Sequence, residues 1–96
     1  MVPEHIQIAY KTKDFMWGVE EAFGKKFVHI DIKEFNPRIF KKMKRSLYKL
    51  RKDFGEPLYG YGLELSTYKL MNLFGFKDTG LMTVVNNEPR RIKCLF

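Results

Sequence analysis

The sequence predicts an α+β domain, of α/β type, built on a mixed sheet with the element order β-β-β-α-β-α-β-β. Three observations carry this. Several short segments alternate apolar and polar side chains with the period of two that marks a half-buried strand. One long segment, Pro37 to Phe54, instead places Ile39, Phe40, Met43, Leu47, Leu50 and Phe54 at three- and four-residue steps, the period of a helix packed on one face. That helix joins two strand-like segments, and a strand–helix–strand connection implies a parallel pair. The flanking segments are joined by short turns and pair antiparallel, so the sheet is mixed.

The elements follow in order. His5 to Tyr10 alternates Ile6, Ile8 and Tyr10 against His5, Gln7 and Ala9 and reads as a strand, with a polar turn at 11–14. The stretch 15–24 carries two periods. Phe15, Val19 and Phe23 are spaced for a helix ending at Gly24, yet Phe15, Trp17 and Val19 alternate and Gly18 is poor inside a helix. The strand reading is preferred from Phe15 to about Glu20, with a turn through Gly24, Lys25 and Lys26. Phe27–Lys33 is the clearest strand, with Val28, Ile30 and Ile32 on one face and Phe27, His29, Asp31 and Lys33 on the other. His29 and Asp31 invite a general-base reading, although residues two apart on a strand stand about 7 Å apart, too far for a direct bond unless the side chains lean together.

The long helix has legible ends. Asn36 can cap its first turn, Pro37 suits the first helical position, and Gly55 suits the left-handed residue that follows a helix. After it, Leu58–Leu65 reads as a strand in which Gly60 and Gly62 leave one face bare, so that a ligand, a packed helix or a bulge can approach the backbone. Ser66 is placed to cap a second helix, Thr67–Phe74, ended by Gly75. Leu81–Val85 and Arg90–Phe96 form a closing hairpin about the turn residues Asn86, Asn87, Glu88 and Pro89.

The chain has 96 residues, which suits one domain with a single core, and 45% hydrophobic content indicates a folded chain. A run of eighteen apolar residues does not occur, so no membrane partner is expected. The start, Met1-Val2-Pro3-Glu4-His5, lacks the basic and apolar runs of a signal peptide. Cys94 is the single cysteine, and with His5 and His29 it shows no metal spacing. A soluble intracellular protein without a metal is expected.

The charge is concentrated. Of 18 basic and 11 acidic residues, the long helix holds Arg38, Lys41, Lys42, Lys44, Arg45, Lys49, Arg51 and Lys52 against Asp53 alone. The helix therefore carries +7, equal to the net charge of the whole chain. Such a face attracts an acidic protein surface, phosphates or nucleic acid, although Lys and Arg stems also coat helices without binding anything. Against nucleic acid, the basic residues occupy most of the non-core circumference, and no nucleic-acid motif is present.

An amphipathic helix running into Leu73-Phe74-Gly75-Phe76-Lys77-Asp78-Thr79-Gly80 resembles the last helix and following strand of the GNAT acetyltransferases. The element order over roughly residues 5–96 is also similar to that fold's central part: a three-strand meander, the cofactor-side helix, a splayed parallel strand, a helix and a final hairpin. The resemblance implies one GNAT-like domain, truncated of its usual first strand and first two helices, like short degenerate members encoded by tailed bacteriophages, including an internal virion protein.

The resemblance also implies a place for acyl-CoA, whose pyrophosphate would meet a glycine-rich loop at the N-terminus of the long helix. The matching Phe35-Asn36-Pro37-Arg38-Ile39-Phe40 contains no glycine, and Pro37 removes a donor. Asn36, Arg38, Lys41 and Lys42 remain there to attract an anion. The tyrosine that in many members lies four residues before the Gly-Phe glycine is Met71 here, leaving Tyr68, Tyr59 and Tyr61 as candidate substitutes for a catalytic acid. The asparagine that often opens the last helix corresponds to Glu64. These departures predict a non-catalytic protein without a cofactor. It would bind an acidic surface of a host protein (a defence or transcription component) or of a virion protein through Lys41, Lys42, Lys44, Arg45, Lys49, Arg51 and Lys52. The alternatives are a minimal acetyltransferase using acetyl-CoA and non-specific nucleic-acid binding.

Overall fold

The computed structural model describes residues 6–62 and 64–96. Along the chain run β1 (Gln7–Lys11), β2 (Phe15–Ala22), β3 (Lys25–Ile32), α1 (Pro37–Phe54), β4 (Leu58–Gly60), α2 (Leu65–Phe74), β5 (Lys77–Val85) and β6 (Glu88–Leu95). Among the described residues the fold is a mixed α+β arrangement of one six-stranded sheet and two helices, the strands lying in the spatial order β1-β2-β3-β4-β6-β5. Spatial order departs from chain order at the end: β6 inserts between β4 and β5 and is antiparallel to both.

The ambiguous stretch 15–22 is a strand because its alternation finds a partner. Phe15, Trp17 and Val19 stand opposite Ile32, Ile30 and Val28 on β3, which puts all six on one face of the sheet. The β2–β3 connection is a two-residue turn in which Phe23 and Gly24 both take positive φ, 55° and 71°, the geometry that suits tightly linked, right-twisted strands. The expected turn at 24–26 is thus shifted back, and Lys25 and Lys26 belong to β3. At the preceding corner the Thr12 hydroxyl accepts the backbone N–H groups of Asp14 and Phe15.

The apolar stripe of α1 covers that sheet face. Ile39, Met43, Leu47 and Leu50 are buried among Phe15, Trp17, Val19, Val28, Leu58 and Leu95, and each such side chain stabilises the fold by about 1.5–3 kcal/mol through removal from water. Among the described residues Ser46 is the one polar side chain drawn into this core: its hydroxyl accepts the Trp17 indole N–H at 2.9 Å and donates to the Met43 carbonyl at 2.8 Å. α2 docks on α1 where Phe40 stacks on Phe74, centroids 5.2 Å apart, and where the Tyr48 hydroxyl donates to the Phe74 carbonyl at 2.8 Å.

Several boundaries differ from the sequence expectation. β4 was expected to reach Leu65 but ends at Gly60, because α2 folds back over the glycines: a Cβ on Gly62 would stand 2.7 Å from the Thr67 Cβ, and one on Gly60 3.0 Å from the Met71 Cε. α2 starts at Leu65 rather than Thr67. Glu64 takes the extended N-cap position without a side-chain cap bond, and Ser66, expected as the cap, donates instead to the Glu64 carboxylate at 3.4 Å. β5 begins at Lys77, four residues before the expected start, since the Thr79 hydroxyl donates to the Ile92 carbonyl (2.7 Å) across an irregularity where Gly80 has φ 78°. β6 runs Glu88–Leu95, closed by Asn86 and Asn87 at φ 52° and 65°. His5, the expected start of β1, the remainder of 1–5, and Leu63 on the expected β4 lie outside the described residues.

Candidate functional site

Two places carry chemistry, the outer face of α1 and the gap between β3 and β4.

On α1 the ends form as the residues dictate. The Asn36 side-chain oxygen accepts the Ile39 N–H at 2.9 Å, and Gly55, at φ 68°, donates its N–H to the carbonyls of Arg51 and Lys52. Arg38, Lys41, Lys42, Arg45, Lys49 and Lys52 are exposed, while Lys44 and Arg51 are half-buried. Lys49 pairs with Asp53 at 2.8 Å, an exposed i,i+4 pair worth only about 0.3–0.5 kcal/mol. No acidic residue occurs between Pro37 and Lys52, so apart from the Lys49–Asp53 pair the helix does not neutralise the positive potential of its own face.

β3 and β4 pair in parallel only through Lys26–Leu58 and Phe27–Tyr59. β3 runs on to Ile32 while β4 ends at Gly60, and an open cleft of about 1070 Å³ lies where the strands part. Trp17, Ile30, Met71 and Phe74 give it apolar walls, and Glu20, His29, Tyr61 and Glu64 its polar end. Neither lysine nor arginine lines it among the described residues. Phe40 stacks on Phe74 and is not part of the described lining.

The His29 partner differs from the sequence expectation. Asp31 is exposed; the His29 Nε2 instead lies 3.0 Å from a Glu20 carboxylate oxygen. The β2–β3 register explains it: Gly18 stands opposite His29, so Glu20, two residues on and on the same face, is the diagonal neighbour. Sequence reasoning missed Glu20 because a strand that stops near residue 20 with a turn at 24–26 gives no register; a two-residue turn at Phe23-Gly24 would have supplied it. The Tyr61 ring meets His29 edge-on at 5.8 Å, and burial, with the Glu20 carboxylate, pushes its phenol above the ordinary range.

The three candidate tyrosines are not brought together. Tyr61 lines the cleft. Tyr59 packs on Phe27 at 5.9 Å, and burial raises its phenol, assisted by the neighbouring Cys94 thiol. The Tyr68 hydroxyl donates to the Arg91 carbonyl at 2.9 Å and is committed to the β6 backbone. Met71, in the position of the resembled family's tyrosine, is buried in the cleft wall with no proton to give.

The N-terminus of α1 offers little to a pyrophosphate. Pro37 has no N–H, the Ile39 N–H is held by Asn36, and the Phe40 N–H donates to the Asn36 carbonyl at 2.9 Å, leaving Arg38 as the free backbone donor of the first turn. Phe35, packed edge-on to Phe40, stands exposed beside it. The side chains of Arg38, Lys41 and Lys42 supply charge there without a cradle.

Among the described residues no group of three or more His, Cys, Asp or Glu is placed to hold a metal ion, and no helix is long and apolar enough to cross a membrane. No protein-family model, curated protein or solved structure matches this chain.

Proposed function

We propose that the chain is a non-catalytic, GNAT-like protein of the bacteriophage type that acts by docking the exposed face of α1 onto an acidic surface of a host or virion protein. The observation that carries this reading is a run of six exposed cations along a helix with no acid before Asp53. The three-strand meander, the parallel strand that parts from β3 after two pairs and the final hairpin support the family resemblance. The first turn of α1, closed by Asn36 and Pro37, supports a binding role over cofactor use. The test is capture from bacterial lysate by the wild type and by a Lys41→Glu/Arg45→Glu/Lys49→Glu variant. A partner retained by the wild type at moderate salt and lost by the variant is the expected result; equal retention by both overturns the reading.

A second reading, a minimal acyl-CoA-dependent acetyltransferase, is favoured by one observation: the cleft between β3 and β4 is open, with the Glu20–His29 pair at its polar end. A ligand that binds only the native state raises its melting temperature by mass action. Millimolar acetyl-CoA is expected to leave the melting temperature unchanged under the first reading and to raise it under the second.

A further inference from the structure

We infer that the occupant of the α1 face is an acidic amphipathic helix, seated along the border between α1 and α2. This rests on the binding reading above and names the partner's chemistry. At 100° per residue, Arg38, Lys41, Lys42, Arg45, Lys49 and Lys52 fall within about 100° of arc, and the span from Arg38 to Lys52 is about 21 Å of helix axis. All six are exposed. Neighbours in this stripe are three or four residues apart, about 5–6 Å between Cβ atoms, which is the spacing at which a second helix presents carboxylates along one of its own faces.

The stripe has an apolar border on the side that faces α2. Phe40 stacks on Phe74, and Tyr48, two turns further along α1, reaches the Phe74 carbonyl with its hydroxyl while the residue stays 44% exposed. Leu73, adjacent to Phe74 on α2, is 62% exposed. An apolar border at Phe40 and Tyr48 therefore adjoins the band of cations, and Leu73 adds exposed apolar surface on α2. A helix with leucines on one face and acidic residues on the next matches both, with the charge complementarity setting its direction and the apolar border its rotation. A nucleic-acid backbone matches only the cations. The Lys44 ammonium lies over the Tyr48 ring at 5.8 Å and occupies a face on which a base would stack, and an exposed leucine gives phosphates nothing.

The experiment uses the full chain and three labelled probes in fluorescence anisotropy: a helical peptide of about five turns with glutamates on one face and leucines on the adjacent face, a scrambled peptide of the same composition, and a short duplex DNA. The ordered peptide is expected to bind about tenfold more tightly than the scrambled one, the equivalent of burying one leucine-sized group. Leu73→Ser is expected to remove most of that difference while leaving the scrambled peptide's affinity unchanged. Lys41→Glu/Arg45→Glu is expected to abolish binding of both peptides, with Trp17 fluorescence reporting that each variant is folded. Equal binding of ordered and scrambled peptides overturns the inference and leaves the docking of a generic acidic surface standing. Tighter binding of duplex DNA than of the ordered peptide overturns it in favour of nucleic acid. Failure of both peptides to bind at low salt overturns the inference and the binding reading together.

Discussion

Trp17, Ser46, His29 and Glu20 show how single side chains decide what the fold can hold. The indole N–H of Trp17, 2% exposed, has Ser46 as its hydrogen-bond acceptor. Ser46→Ala removes that acceptor and strands a buried donor, which costs about 1–3 kcal/mol; urea unfolding followed by Trp17 fluorescence is expected to show a lower midpoint with an unchanged slope. Ionisable groups on the Phe27 side of the sheet add a pH dependence. Burial raises the Cys94 thiol above its ordinary 9.0, against the opposing pull of its Tyr59 hydrogen bond and the Arg51 charge. The Tyr59 and Tyr61 phenols are raised above 10.0, burial again the largest cause. A folded-state pKa above the unfolded value favours the protonated form in the fold, so the stability these groups contribute is complete below about pH 9 and is lost as pH rises through the folded values. Denaturation midpoints are expected to fall between pH 8.5 and 10.5, and the fall to be smaller in Tyr61→Phe. The fully buried Cys94 is expected to react with a thiol reagent only at the rate of unfolding.

Elements differ in how much of them local chemistry writes. α1 was legible to the residue: its cap, its first-position proline, its terminating glycine and its apolar stripe are all local signals, and the helix runs Pro37–Phe54 as they indicate. Asn36→Ala is expected to cost about 1 kcal/mol, read as a lower melting temperature, through loss of the Ile39 N–H bond. β4 and α2 were less legible. Glycines at 60 and 62 announced that something approaches the backbone but not what; the answer is α2 itself. Gly62→Ala forces a Cβ to within 2.7 Å of the Thr67 Cβ and is expected to destabilise by about 1–3 kcal/mol through overpacking. Gly60→Ala, which meets the flexible end of Met71 at 3.0 Å and the Phe76 ring at an ordinary 3.5 Å, is expected to cost less. The two substitutions, compared by thermal melting, separate a rigid contact from a yielding one. In β2, the helical and the alternating pattern at 15–23 share Phe15 and Val19, so only Trp17 and Gly18 locally favoured the strand. Pairing with Val28, Ile30 and Ile32 on β3 decided for the strand.

For the molecule as a whole, charge and cavity lie apart. The +7 of the chain sits on α1, while the cleft between β3 and β4 has Glu20 and Glu64, and neither lysine nor arginine, among its described lining residues. Binding through α1 is therefore expected to weaken steeply with salt and to be insensitive to Glu20→Gln, whereas a ligand of the cleft would respond to that substitution and little to charge reversal on α1. Measuring both variants against one acidic peptide at two salt concentrations separates these outcomes. By itself the sequence determined the order of elements, the ends and burial face of α1 and the concentration of charge upon it, because capping, periodicity and net charge are properties of neighbours along the chain. Only the tertiary structure decided that β6 inserts between β4 and β5, that β3 and β4 part after two pairs, and that His29 meets Glu20 rather than Asp31. Each of these depends on strand register and on packing between distant segments, where a shift of one residue turns every side chain to the opposite face.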